Sequence, residues 1–151
     1  MSNERKIQKS FLDHGFGFPV RLANVPMIKV RGHWTPEIDY NKLAANVLRG
    51  LAHKPGRLTG LEVKFIRNHF GMTLQVFAKR FNVSHVAVLK WEKAGRIATT
   101  MSWALEKDLR LFALSHLSAK PQEMVGLYSD LEKVPPTKSK ELAVDLDRLA
   151  A

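Results

Sequence analysis

The chain has 151 residues, 45% of them hydrophobic, which suits one compact core with appendages. It carries 24 Lys/Arg against 14 Asp/Glu and no cysteine, which excludes disulfides, thiolate metal sites and a cysteine nucleophile. No run of about 18 apolar residues occurs, and the polar start MSNERKIQKS lacks the apolar stretch of a secretion signal, so a soluble cytoplasmic protein without membrane association is expected.

In chain order, the first ten residues are polar and read as frayed. Two short β-prone runs follow, Val20 to Leu22 and Met27 to Val30, joined through Ala23 to Pro26, and they read as a small hairpin or two edge strands. Pro19 and Pro26 fall at run boundaries, where a missing N–H costs no internal ladder bond. Trp34, beside His33 and Pro36, reads as a loop residue that packs between the N-terminal segment and the helix expected at Tyr40 to Ala52, or that forms part of a partner-binding surface. Asp39 then stands as N-cap before Tyr40, Leu43, Ala44, Val47, Leu48 and Leu51, whose spacing predicts a helix from about Tyr40 to Ala52. Lys54-Pro55-Gly56 ends it.

Three short helices come next. Thr59 and Glu62 have capping-box spacing, with Val63, Ile66 and Phe70 on one face and Gly71 as the stop. Thr73 opens a second helix with Phe77, Ala78 and Phe81 inward, and Asn82 suits the left-handed residue of a tight turn. Ser84 caps a third, with Val88 and Trp91 inward and His85, Val86, Leu89, Lys90 and Lys93 on other faces. Beyond Thr100, Leu105, Leu109 and Phe112 mark another helix flanked by Trp103 and Leu114. Pro121 begins a shorter one with Met124, Val125, Leu127, Tyr128 and Leu131. Pro135-Pro136 precedes a last amphipathic segment with Leu142, Leu146 and Leu149, which reads as a docking tail that orders on a partner.

The charge is uneven. Residues 1–53 carry 8 Lys/Arg against 4 Asp/Glu, residues 54–98 carry 9 against 2, and residues 99–151 carry 7 against 8. A basic block on folded elements favours a polyanion partner such as nucleic acid. The plainer alternative is a solubilising surface.

The three central helices fit a helix-turn-helix, with Ala78, Val83 and Val88 at the crossing and one helix left exposed for a major groove. The stretch LTGLEVKFIRNHFGMTLQVFAKRFNVSHVAVLKWEKAG resembles the Cro/phage-repressor (Xre) helix-turn-helix family. The points of likeness are Met72-Thr73-Leu74, Ala78, Asn82-Val83-Ser84 and Val88 to Glu92. GFPVRLANVPMIKVRG followed by KPGRLTGLEVKFIR resembles, more narrowly, the MqsA/YgiT-type antitoxins, which place a cysteine-based zinc module before such a domain. Together the resemblances cover roughly residues 15 to 117. The zinc ligands are absent here, Leu74 stands where the repressors often have Gln, and Lys93-Ala94-Gly95 replaces the usual Asn-Gly pair.

By position in that motif, His85, Val86, Leu89 and Lys90 are expected at base edges, and Thr73, Lys90, Lys93 and Arg96 at phosphates. The surface alternative for each is an ordinary solvated residue. His14, His33, His53, His69, His85 and His116 contain no i, i+4 pair, so neither a metal nor another cofactor is expected. Glu62 and Glu92 are better explained by the capping box and an internal salt bridge than by acid–base catalysis, and no enzyme is expected. Trp91 and Trp103 read as core.

The expected fold is mainly α: a repressor-like helix-turn-helix helical domain with a small N-terminal β-hairpin and additional C-terminal helices. Its divisions are expected at 1–58, 59–117 and 118–151. The expected function is a DNA-binding transcriptional repressor, a homodimer on a palindrome with half-sites about 34 Å apart. The antitoxin resemblance adds a cognate toxin as a further partner, and a protein-interaction adaptor that keeps the helix-turn-helix as scaffold is the alternative.

Overall fold

The computed structural model describes residues 3–133 and 135–148. The chain divides into two compact units, one made of residues 3–47 with 141–148, the other of Leu48–Lys140. Among the described residues there are six α-helices and one mixed four-stranded sheet, so the architecture is α/β. The expectation of a mainly α fold with a small hairpin is therefore corrected, and the difference lies at both ends of the chain.

In the first unit, β1 (Arg5–Asp13) pairs antiparallel with β2 (Val20–Val30) along nearly its whole length. The other side of β2 is shared: β3 (His33–Pro36) pairs antiparallel with Met27 to Val30, and β4 (Leu142–Asp145) pairs parallel with Val20 to Ala23. Arg31 and Gly32 join β2 to β3 with positive φ at both positions (52° and 81°), the two-residue turn that matches strand twist. So residues 5–10 of the start expected to be frayed belong to an edge strand, and Trp34 is a strand residue with Lys6 Nζ 4.4 Å from its ring centroid.

Asn24 accounts for the apparent break in β2. It holds a left-handed backbone (φ 58°), and the buried positions change parity across it, from Val20 and Leu22 to Val25 and Met27. Its side-chain amide donates to Asp145 Oδ1 at 2.9 Å, where the β4 pairing ends. Pro26 sits between the two ladders. Its carbonyl accepts from the Glu37 N–H at 2.8 Å, and only the return bond of that last rung, which proline cannot make, is missing. Leu142 and Val144 are buried and Ala143 exposed, the alternation of a half-buried strand. The C-terminal amphipathic segment is thus β4 followed by a 3-10 turn (Leu146–Arg148), with Leu149 outside the described residues.

Helix α1 (Tyr40–His53) begins where expected, with Asp39 Oδ1 accepting from the Asn41 and Lys42 N–H groups, and its chain crosses into the second unit after Val47. That unit continues with α2 (Gly60–His69), α3 (Leu74–Arg80), α4 (His85–Lys93), α5 (Trp103–Ser115) and α6 (Pro121–Leu131). Thr59 and Glu62 form the full capping box, while Thr73, Ser84 and Ser102 each accept an N–H three residues on. Ala52, Leu114, Leu127 and Leu131 form one buried cluster, with Trp103, Leu111 and Met124 packed against it.

Gly60 matters for space. A Cβ there would lie 2.6 Å from the carbonyl oxygens of both Trp91 and Glu92 and 2.7 Å from the Gly95 nitrogen, all backbone atoms that no rotamer change can move. Gly60→Ala is expected to destabilise the unit by about 1–3 kcal/mol, seen as a lowered urea midpoint. An unchanged midpoint would mean that α2 and α4 separate without cost.

Candidate nucleic-acid interface

The turn between α3 and α4 is built by backbone hydrogen bonds. The Val83 N–H donates to the Ala78 carbonyl at 3.0 Å and the Asn82 N–H to the Lys79 carbonyl at 3.2 Å, with Asn82 left-handed at φ 56°. This Schellman end stops α3, and Ser84 starts α4 two residues later. The same closure recurs after α2, where Gly71 (φ 66°) and Met72 donate to the Asn68 and Arg67 carbonyls.

The inner side of the three helices is apolar and closely fitted. Phe77, Ala78, Val88, Val63 and Ile66 are 3% exposed or less. Phe81 bridges Phe77 and Trp91 edge-on, with centroids 4.9 and 6.0 Å away, a geometry favoured by the ring quadrupoles. Arg67 ties the elements together: its Nε and Nη2 donate to Glu92 at 2.6 and 3.0 Å, and its Nη1 to the Met72 carbonyl at 2.9 Å. The expected internal salt bridge of Glu92 therefore exists, with Arg67 as the partner that spacing alone did not identify.

Outside, α4 exposes His85, Val86, Leu89, Lys90 and Lys93, and Arg96 is exposed in the following turn. All the residues expected at base edges are thus on one exposed helix. Thr73 is exposed too, but its Oγ1 already accepts from the Val76 N–H at 3.1 Å, which leaves only its O–H for a phosphate. Sequence reasoning missed three exposed apolar or basic neighbours. Val76 on α3 is 53% exposed, Ile97 after α4 is 71% exposed, and Lys64 projects from α2. Val76 stands directly before the inward pair Phe77 and Ala78, and Thr73-capped α3 is too short to show a period that would set it outward.

The charge distribution sharpens. Of the nine cations in residues 54–98, Lys54, Arg57, Arg67 and Arg80 are bonded to carboxylates, and the two carboxylates of the segment, Glu62 and Glu92, are buried. Lys64, Lys79, Lys90, Lys93 and Arg96 are exposed with no carboxylate partner among the described residues. The outer surface of this segment therefore carries cations without carboxylates.

Behind it, Glu106, wholly buried on α5, accepts from Arg57 Nε at 2.6 Å, from Arg110 Nη2 at 2.7 Å and from the Leu58 N–H at 3.2 Å. Lys54 Nζ donates to Glu62 Oε1 at 2.6 Å. Burial pushes the pKa of both Lys54 and Arg110 below their ordinary values.

No group of three His, Asp or Glu side chains able to hold a metal occurs among the described residues. Nor is any helix among them long and apolar enough to cross a membrane. In comparisons with known proteins the chain matches no family model, no curated protein and no solved structure.

Proposed function

We propose that the protein is a sequence-specific DNA-binding transcriptional regulator, a repressor that sets α4 into the major groove of a palindromic operator as a homodimer in the cytoplasm. The observation that carries this reading is the sorting of charge around α2 to α4, with carboxylates buried and paired inside and Lys64, Lys79, Lys90, Lys93 and Arg96 exposed outside. A duplex presents a dense row of phosphates, and neutralising them releases counterions. Between those cations, Val86 (49% exposed) and Leu89 (38% exposed) offer methyl groups rather than paired hydrogen-bond donors. In the major groove that chemistry selects the thymine methyl.

The test is a selection of bound duplexes from a random pool, with footprinting on the protein's own upstream DNA. The recovered site is expected to be two-fold symmetric. Replacing a contacted thymine by uracil should cost about 0.8 kcal/mol, or roughly fourfold in affinity, per lost methyl. Absence of protection at moderate salt would overturn the reading. The resemblance to antitoxins supports a further part of it, that the chain neutralises a toxin outside its basic unit. A neighbouring gene for a small basic nuclease-like protein that co-purifies with this chain is the expected finding. The adaptor reading has exposed Val125 and Tyr128 on α6 in its favour, and it predicts a partner but no footprint.

A further inference from the structure

On the second unit, the large apolar side chains left exposed among the described residues fall in two places. Val76, Val86, Leu89 and Ile97 lie on α3, α4 and the turn after them, among cations that would repel a copy of the same surface. Val125 and Tyr128, 68% and 58% exposed, stand on α6 instead.

Helix α6 has a firm inner side. Leu127 and Leu131 are buried in the cluster with Ala52 and Leu114, and Met124 packs against it. On the solvent side, Pro121, Val125, Tyr128 and Glu132 are all exposed at intervals of four, three and four residues, and Glu132 keeps helical backbone (φ −80°, ψ −8°). They therefore form one stripe. Its spacing is the same read from either end. A second α6 laid antiparallel across a two-fold axis meets the first in register, with Val125 against the partner's Tyr128 and Glu132 against the partner's Pro121.

Charge favours that pairing. The N-cap residue of α6, Lys120, makes no side-chain cap bond, so the start of the helix presents the positive end of its dipole beside a lysine. Glu123, the acid of that first turn, is already held by Arg49 and His53. Glu132, 53% exposed and only 3.5 Å from Lys107 Nζ, brings a carboxylate to this end in the antiparallel copy. Asp130 and Lys133 bond to each other and add no net charge.

We propose that α6 is the homodimer interface, two copies crossing antiparallel on Pro121, Val125, Tyr128 and Glu132. The proposal rests on the regulator reading for its two-fold symmetry: α6 belongs to the same compact unit as α4, so an interface there sets the separation of the two groove-reading helices. One face of an 11-residue helix, about 16 Å long, covers less than the ~800 Å² per partner of a standard interface, so association without DNA is weak and depends on concentration.

The test is sedimentation velocity on the full chain without DNA, from about 5 to about 500 μM, where the weight-average mass should rise toward that of a dimer. Val125→Glu with Tyr128→Glu sets carboxylates against carboxylates at the facing positions. It should weaken association at least about 100-fold, with an unchanged circular dichroism spectrum because both sites are exposed. Glu132→Lys should weaken it about tenfold, and Lys120→Glu added to E132K should recover most of that loss. A parent that stays monomeric at about 500 μM, as it would if α6 served a partner of another kind, overturns the proposal. So does association that V125E/Y128E or E132K leaves unchanged, or that K120E fails to recover. A monomeric parent that still leaves a footprint on DNA would remove α6 as the interface and keep the regulator reading. A dimer lost in V125E/Y128E, with no footprint from the parent, would do the reverse.

Discussion

Glu106→Gln is expected to lower the stability of the helical unit by about 3–5 kcal/mol, the cost of stranding buried charge when one partner is removed. Gln keeps the shape and can still accept one bond, but it removes the negative charge that Arg57 and Arg110 both share. It also disturbs the acceptor of the Leu58 N–H, which lies just ahead of the capping box on α2. Arg57 and Arg110 lie over Trp103, 5.7 and 5.5 Å from its centroid, and that arrangement loses its anchor too. Urea unfolding followed by circular dichroism reads the change directly. A midpoint within experimental error of the parent would mean that carbonyls and the ring, rather than Glu106, hold the two arginines.

The second large effect concerns binding. Lys90→Ala with Lys93→Ala should weaken association on every duplex, cognate or not, and flatten the dependence of log K on log salt by about 0.9 per lost phosphate contact. Both lysines are exposed on α4 and neither bonds a carboxylate, so their removal leaves the fold intact. His85→Ala or Val86→Ala should behave differently, altering which base pairs are preferred while the salt slope stays near that of the parent. Fluorescence anisotropy over a salt series separates the two. If the double lysine variant kept the parental slope, α4 would not be the element at the phosphates.

Local signals made the helical unit legible. Thr59 with Glu62, Thr73, Ser84, Asn82 and Gly71 are short-range devices, each satisfied within a few residues, and each stands where the sequence places it. The sheet depended on information a linear pattern does not carry. β1 is an edge strand whose residues are mostly exposed, so RKIQKSFLD shows little alternation. β2 was divided because Asn24 reverses the parity of its buried positions, and two correct half-strands looked like two elements. Leu142, Val144 and Leu146 suit a period of two or of four equally well over so short a span. Only pairing with Val20 to Ala23, far away in sequence, decides between them.

The outward residues of α4 were legible by position, because an inward Val88 and Trp91 determine which neighbours must face solvent. The interior ion cluster was not. Glu106 and Arg110 fall among Leu105, Leu109 and Phe112 on α5, where an apolar stripe hides the charged pair beside it, and Lys54 sits in what reads only as a helix stop. Spacing assigns faces, whereas a buried charge is recognised by its partner, which comes from another helix.

Strand β4 also sets an order of events during synthesis. Its pairing partner, the Val20 to Ala23 part of β2, leaves the ribosome with that backbone edge bare and stays so while Leu48–Lys140 is made. The helical unit, rich in contacts between near neighbours, can form in that interval, whereas the sheet must wait for residues 142–145 to emerge. The nascent chain therefore carries finished helices before a finished sheet, and in that period the Val20 to Ala23 edge of β2 is, besides the outer edge of β1, an unpaired template for pairing with another chain.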